Sequence, residues 1–175
     1  MIVGQRLETA NGEYALIVKY EAWSTIENEC KNAYDHETGG ILIGFYTEDM
    51  STAVVTEASG PPSDSRRGRS WFWRGVADLK NLLARRWALK QRTYYIGEWH
   101  YHPIFHIELS GDDLDQMHSI SQDSNYHCRE PIMIIVGREC GVGRPVRALV
   151  FPRDEAQIEF KTQIQEDVPD DNRRT

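Results

Sequence analysis

Apolar residues recur with two different periods along this chain, and the alternation divides it into elements. Between residues 20 and 34, Trp23, Ile26, Cys30 and Ala33 stand three, four and three positions apart, the spacing of an amphipathic helix. Residues 40–46 form a short apolar run suited to a buried strand, and 53–58 reads as its neighbour. Helical spacing returns over 76–91, with Val76, Leu79, Leu83 and Trp87 on one stripe. The run Tyr94-Tyr95-Ile96-Gly97 opens a strand over 94–100, and 111–121 predicts a third helix that turns Leu114, Met117 and Ile120 inward. Residues 131–137, 144–151 and 158–164 read as further strands. At the other end, 1–7 and 14–18 flank Asn11-Gly12, a hairpin signal with a loop longer than two residues. Strands and helices mix without a regular βαβ alternation, which predicts an α/β domain built on a mixed sheet flanked by helices. Residues 1–165 make one domain. Residues 166–175 are polar and charged, contain Pro169, and are expected to be a disordered acidic tail.

Two breaks in this pattern carry information. Residues 60–70 are dense in Gly, Pro and Ser and predict an exposed loop. The segment 61–74 also gathers Arg66, Arg67, Arg69 and Arg74 with Trp71, Phe72 and Trp73 in a chain whose net charge is −7. Bulk charge therefore argues against general affinity for nucleic acid or membrane. No apolar run approaches the roughly 18 residues of a membrane span, and nothing resembles a signal peptide, so a cytoplasmic location is expected. Cys30, Cys128 and Cys140 are scattered and show no C-x-x-C spacing, so free thiols are expected rather than a disulfide framework or a cysteine metal site.

The chemistry concentrates in Gly97-Glu-Trp-His100-Tyr-His102-Pro103 and Ser110-Gly-Asp-Asp113. Alternate side chains of a strand share a face, so His100 and His102 project together. Pro103, with no N–H for the ladder, ends the strand just beyond them. Asp113 falls in the first turn of the next helix, where a carboxylate can swing back toward both imidazoles. Two neutral imidazoles, one carboxylate and an open fourth position suit a catalytic zinc and metal-assisted hydrolysis. Each part also has a plainer reading: Ser110-x-x-Asp113 is a good helix capping box, and a lone His-x-His pair is often structural. An open zinc site needs a proton carrier, and Glu37 in Asp35-His-Glu37-Thr-Gly-Gly stands just before a buried strand where its pKa can be tuned. The alternative is a solvated glutamate in a turn. Glu98 shares the histidines' face and offers either an acceptor that orients an imidazole or an ordinary core-edge acid. His106 reads as a rim residue, and His36, His118 and His127 as structural or solvated. The His-x-Glu…Pro-Cys-x-x-Cys signature of zinc deaminases is missing.

Glu37, then His100-x-His102-Pro103, six residues, and Ser110-x-x-Asp113 resembles the signature of the JAB/JAMM (MPN-plus) zinc metalloproteases. The resemblance implies that family's curved central sheet, akin to cytidine deaminases. It makes His100, His102 and Asp113 the zinc ligands, selecting Asp113 over Asp112, with Glu37 as general base and acid. Ser110 becomes a hydrogen-bond donor to the developing oxyanion. The Gly97-Glu-Trp form and the Glu37-Thr-Gly-Gly-Ile-Leu-Ile-Gly44 entry look most like bacterial deconjugating peptidases encoded beside E1/E2-like ligases in CBASS antiphage operons. That likeness implies cleavage after the C-terminal tail of a conjugated cGAS-like nucleotidyltransferase. A bacterial ubiquitin-like modifier is the sister substrate, and a ligase the further partner. A catalytically silent scaffold of the same fold and a small-molecule amide hydrolase are the competing readings. Segment 61–74 is then either a substrate-contacting insertion, or a loop whose arginines are solvated and whose aromatics dock into the core. Nucleic acid is not an expected partner.

Overall fold

The computed structural model describes residues 2, 4–105, 107–141 and 143–162. Two short strands, β1 (Arg6–Thr9) and β2 (Ala15–Val18), precede helix α1 (Tyr20–Ala33). Strands β3 (Thr38–Tyr46) and β4 (Thr52–Ala58) follow, then two-residue strands β5 (Arg66–Arg67) and β6 (Phe72–Trp73) and helix α2 (Leu79–Trp87). Strand β7 (Tyr94–Tyr101), helix α3 (Gly111–Gln122) and strands β8 (Ile132–Val136), β9 (Val146–Val150) and β10 (Ile158–Thr162) complete the order. The α/β class is as expected, with antiparallel pairs and two parallel ones, β2–β4 and β7–β8.

The sheet corrects the expectation of a merely curved one. Eight strands close into a barrel in the order β1-β10-β9-β8-β7-β3-β4-β2. The N-terminal hairpin makes the closure: β1 pairs antiparallel with β10, and β2 runs parallel to β4. Such pairings join residues far apart in sequence and leave no trace in local periodicity.

The centre of the sheet explains its apolar runs. β3 lies between β4 and β7 and is covered by α1, whose Ala22, Trp23, Ile26, Cys30 and Ala33 are buried as their spacing predicts. A strand covered on both faces reads as a continuous apolar run rather than an alternation. Leu42, Ile43, Ile96, Trp99 and Phe151 are completely enclosed. Gly97 is required here: its φ is +154°, and a Cβ would run into the Ile132 carbonyl of β8. The β3–β7 register slips next to it, between Leu42 and Ile43.

Two other expectations are revised. The helix of residues 76–91 is only α2, and no residue of it is fully buried; Val76 is 69% and Trp87 52% exposed. Its stripe borders a groove of about 840 Å³ shared with Tyr46, Tyr94 and Tyr126. Segment 61–74 is not an irregular loop but a hairpin, with β5 and β6 paired antiparallel. Its side chains follow the docked-aromatic reading only in part: Arg66, Arg67 and Arg69 are exposed as that reading has them, and the rest depart from it. Arg74 is buried, Trp71 and Trp73 are exposed, and Phe72 alone turns inward. Cys30 and Cys128 are buried free thiols, whereas Cys140 is exposed. Among the described residues no helix is long and apolar enough to cross a membrane. The expected tail 166–175 and rim residue His106 lie outside the described residues.

Candidate metal centre

The register of β3 against β7 builds the site. Thr38 faces Tyr101 and Gly39 faces His100, so the residue just before β3 and the last residues of β7 meet at one end of the barrel. The preceding turn is shaped by Tyr34, which leaves α1 with a φ of +55° and accepts a hydrogen bond from the Tyr101 hydroxyl on its carbonyl. Glu37 is thereby delivered beside the histidines. Gly39 is small for a reason: a Cβ there would stand 2.7 Å from His100 Cδ2 and 2.9 Å from Phe72 Cε1.

His102 lies one residue beyond β7, and its N–H still donates to the Val136 carbonyl at 2.9 Å, so both imidazoles are set by the same ladder. The third group comes from α3. Ser110 is its N-cap and accepts the Asp113 N–H, while Asp113 accepts the Ser110 N–H, which completes the capping box. That box fixes Asp113 on the buried side of the first turn and leaves Asp112 exposed. The donor atoms of His100, His102 and Asp113 all lie within 4.8 Å of one another, and all three residues are buried. His100 Nδ1 is 2.9 Å from Asp113 Oδ1, and His102 Nε2 is 3.8 Å from Oδ2. The Ser110 hydroxyl donates to Asp113 Oδ2 at 2.7 Å.

The electrostatics follow from this packing. Burial alone would raise the Asp113 pKa. The hydrogen bond and charge of His100 and the bonds from Ser110 outweigh that and hold it well below the usual carboxylate range. Burial pushes His102 down, so its ring is neutral near pH 7, the form in which imidazole binds metal. Glu37 is pushed up to about 7 by burial and then by the negative charge of Asp113, with His100 opposing. Two imidazoles and a carboxylate form a donor set suited to zinc. His100 turns Nδ1 toward Asp113 and leaves Nε2 buried without a hydrogen-bond partner among the described residues, so the fold does not use up the bonding capacity of this ring.

Other acids and histidines near the motif take different parts. Among the described residues, Glu98 makes no hydrogen bond to an imidazole. It is fully buried, accepts from Arg74 Nε at 2.7 Å on Oε2, and accepts from the Tyr95 hydroxyl at 3.1 Å on Oε1. His36 pairs with Asp35, and His118 packs edge-on against Phe151, both consistent with structural roles. Two residues of segment 61–74 take parts here that the sequence did not assign to them. Phe72 sets its ring edge-on to His100 with centroids 5.5 Å apart, and Arg74 roots the hairpin on β7. A signal for Arg74 does exist in Glu98: a carboxylate in a buried central strand demands a cation or donors beside it.

Comparison with known proteins gives the family of the chain. Residues 21–151 match the family described as prokaryotic homologs of the JAB domain. A protein of Enterobacter hormaechei subsp. hoffmannii named "CD-NTase/cGAS isopeptidase" is 47% identical over 156 residues, 87% of this chain and 86% of that protein. One of the same name from Pseudomonas aeruginosa is 30% identical over 105 residues, 59% of this chain and 65% of that protein. A solution structure of a protein from Desulfitobacterium hafniense superposes with a TM-score of 0.56 at 13% identity, covering 84% of this chain and 90% of that one, which is a likeness of fold.

Proposed function

The chain belongs to the prokaryotic homologs of the JAB domain, and from that premise we propose that it is a zinc-dependent isopeptidase acting after the C-terminal tail of a conjugated protein. The observation that carries the reading is the convergence of His100, His102 and Asp113 within 4.8 Å, beside a glutamate whose pKa is raised to about 7. His100, His102 and Asp113 would hold the metal. A zinc bound there supplies Lewis acidity toward the scissile carbonyl and toward water.

The residues of the chain do the rest. Glu37, close to half-ionised at neutral pH, can take a proton from attacking water and return it to the departing amine. Ser110 offers its hydroxyl proton to charge developing on the carbonyl oxygen. In the structure that proton is donated to Asp113 Oδ2, so serving the oxyanion requires the hydroxyl to turn away from Asp113. The half-buried setting of Glu37 and the edge of Phe72 over His100 limit water around the proton carrier. The hairpin of β5 and β6 forms a wall beside the site against which an extended tail can lie.

The two relatives named as CD-NTase/cGAS isopeptidases support a cGAS-like nucleotidyltransferase as the conjugated protein; a CBASS antiviral setting and an E1/E2-like ligase that makes the bond are the further parts of the proposal. A cytoplasmic setting is part of the same proposal. The test is cleavage of a fusion carrying the tail of the cognate nucleotidyltransferase. Cleavage just after the tail, lost on chelation and in Glu37→Ala, is the expected result. One zinc bound per chain with no cleavage would move the substrate elsewhere, and no bound metal would overturn the reading.

A further inference from the structure

The hairpin beside the metal centre is held at both ends. At its root, Arg74 pairs with Glu98, the Asp64 carboxylate accepts the N–H groups of Val76 and Ala77, and the Ser65 hydroxyl accepts the Gly75 N–H. At its tip, Arg69 pairs with Asp35 at 3.0 Å, and the Glu37 N–H donates to the Gly68 carbonyl at 2.8 Å. It is a fixed wall.

Its pairing sorts its side chains onto two faces. Arg67 stands opposite Phe72 and Arg66 opposite Trp73. Directly opposed residues of an antiparallel pair share a face, with Cα atoms about 4.5–5.5 Å apart. Arg67 is therefore on the side of Phe72, whose ring meets His100, and Arg66 is on the outer side with Trp73.

The charge on that wall is unspent. Acids outnumber bases in this chain, 27 to 20. Arg6, Arg69, Arg74, Arg86, Arg144 and Arg147 each pair with a carboxylate. Arg66 and Arg67 are exposed, and neither has a hydrogen-bond or ion-pair partner among the described residues. Arg85, Arg92, Arg129, Arg138 and Arg153 also stand without an ion pair among the described residues, so what sets Arg67 apart is its place: an exposed guanidinium on the hairpin face that meets His100 is suited to a carboxylate brought by a ligand.

We propose that Arg67 selects an acidic side chain in the substrate tail, within about five residues of the cleaved bond, the length an extended chain spans at about 3.3 Å per residue. This rests on the reading of the site as one that cleaves after an extended tail. The contact is charge-assisted but open to water, so it is expected to weaken as salt rises.

The experiment uses full-length zinc-loaded Glu37→Gln protein and fluorescence anisotropy. Its probes are tail peptides of the cognate nucleotidyltransferase with Asp, Asn or Lys placed at each of the last five positions. At one position Asp should bind about tenfold more tightly than Lys, as expected for one charge-assisted pair. Adding Arg67→Glu should invert that preference, whereas Arg66→Glu, on the outer face, should leave it unchanged. Absence of any charge preference overturns the proposal, as does a preference that survives Arg67→Glu or inverts equally with Arg66→Glu. Cleavage of the same peptides by the protein with Glu37 intact is scored separately. Binding that inverts with Arg67→Glu without cleavage upholds the arginine and removes the peptidase reading.

Discussion

Strand β7 carries two buried polar clusters on one face, and they differ in how far their bonding is complete. Glu98 is fully enclosed, and each of its oxygens has a donor: Arg74 on one and the Tyr95 hydroxyl on the other. Two and four residues further on, His100 and His102 are buried as well, yet His100 Nε2 has no partner and His102 stands 3.8 Å from Asp113. Both clusters have been withdrawn from water, which costs free energy unless the groups are paired. In the first, the fold consumes all the bonding capacity, and the pair holds a hairpin. In the second, capacity is left over for a ligand. Burial of charge therefore does not distinguish a structural cluster from a chemical one; saturation does.

The sharpest way to break this comparison is to remove one charge from the unsaturated end. Glu37→Gln keeps the shape and loses the proton carrier. Turnover of a tail fusion should fall by roughly 10²–10⁴, the usual contribution of a positioned acid–base group. Thermal stability should not fall, because the substitution also removes the repulsion between Glu37 and Asp113. Full turnover in Glu37→Gln would sink the assignment. At the saturated end the ranking reverses. Arg74→Met leaves Glu98 buried without its cation and should destabilise by about 3–5 kcal/mol, lowering the melting temperature by roughly 10 °C in a domain of this size. The double variant Arg74→Met/Glu98→Leu should recover most of that loss. A melting temperature unchanged by Arg74→Met would show that the pair is idle.

Ser110→Ala ranks next and touches the unsaturated cluster through its support. The rate should drop by about 10²–10³ if the hydroxyl serves the oxyanion, and the missing cap should cost about 1 kcal/mol of stability. A variant that loses only the cap's share of stability and none of the rate would confine Ser110 to capping α3.

The two clusters also differ in how they could be read beforehand. His100, His102 and Asp113 lie on neighbouring elements with short connections, so spacing alone brings them near one point, and a strand stop and a helix cap fix their faces. The core strands 40–46 and 131–137 were equally plain, since a strand covered on both sides is a continuous apolar run. The Arg74–Glu98 pair was hidden because its residues lie 24 apart and Arg74 stands among arginines of the same type. Barrel closure was hidden for the same reason: β1 meets β10 from the far end of the domain. Helix α2 misled because its apolar stripe is only partly buried: Leu79 and Leu83 pack against the edge of the core, and Leu83 and Trp87 line a groove. Local chemistry shows in spacing, and long-range pairing does not.

The smallest effect separates the two acids of the metal centre by pH. Asp113 is held below its ordinary value, so in chelated protein its contribution to stability is present above about pH 3.8 and is lost as pH falls below it. Glu37 has the opposite sign. Its pKa in the fold is raised from 4.5 to about 7, so its contribution is present below pH 4.5 and is lost as pH rises through 7. Between those values the Asp113 contribution is flat, and Glu37 pulls stability down with rising pH. His102, depressed by burial, pulls the other way in the same window, so a single curve does not isolate Glu37. The difference between wild type and Glu37→Gln does, because His102 is common to both. Urea melts of chelated protein at half-unit steps from pH 4 to 8 should show the Gln variant gaining on wild type as pH rises, with most of the gain between 4.5 and 7.5. Parallel curves would mean that Glu37 titrates as an ordinary surface acid, and its tuning toward neutral pH, on which the proton-transfer role depends, would be gone.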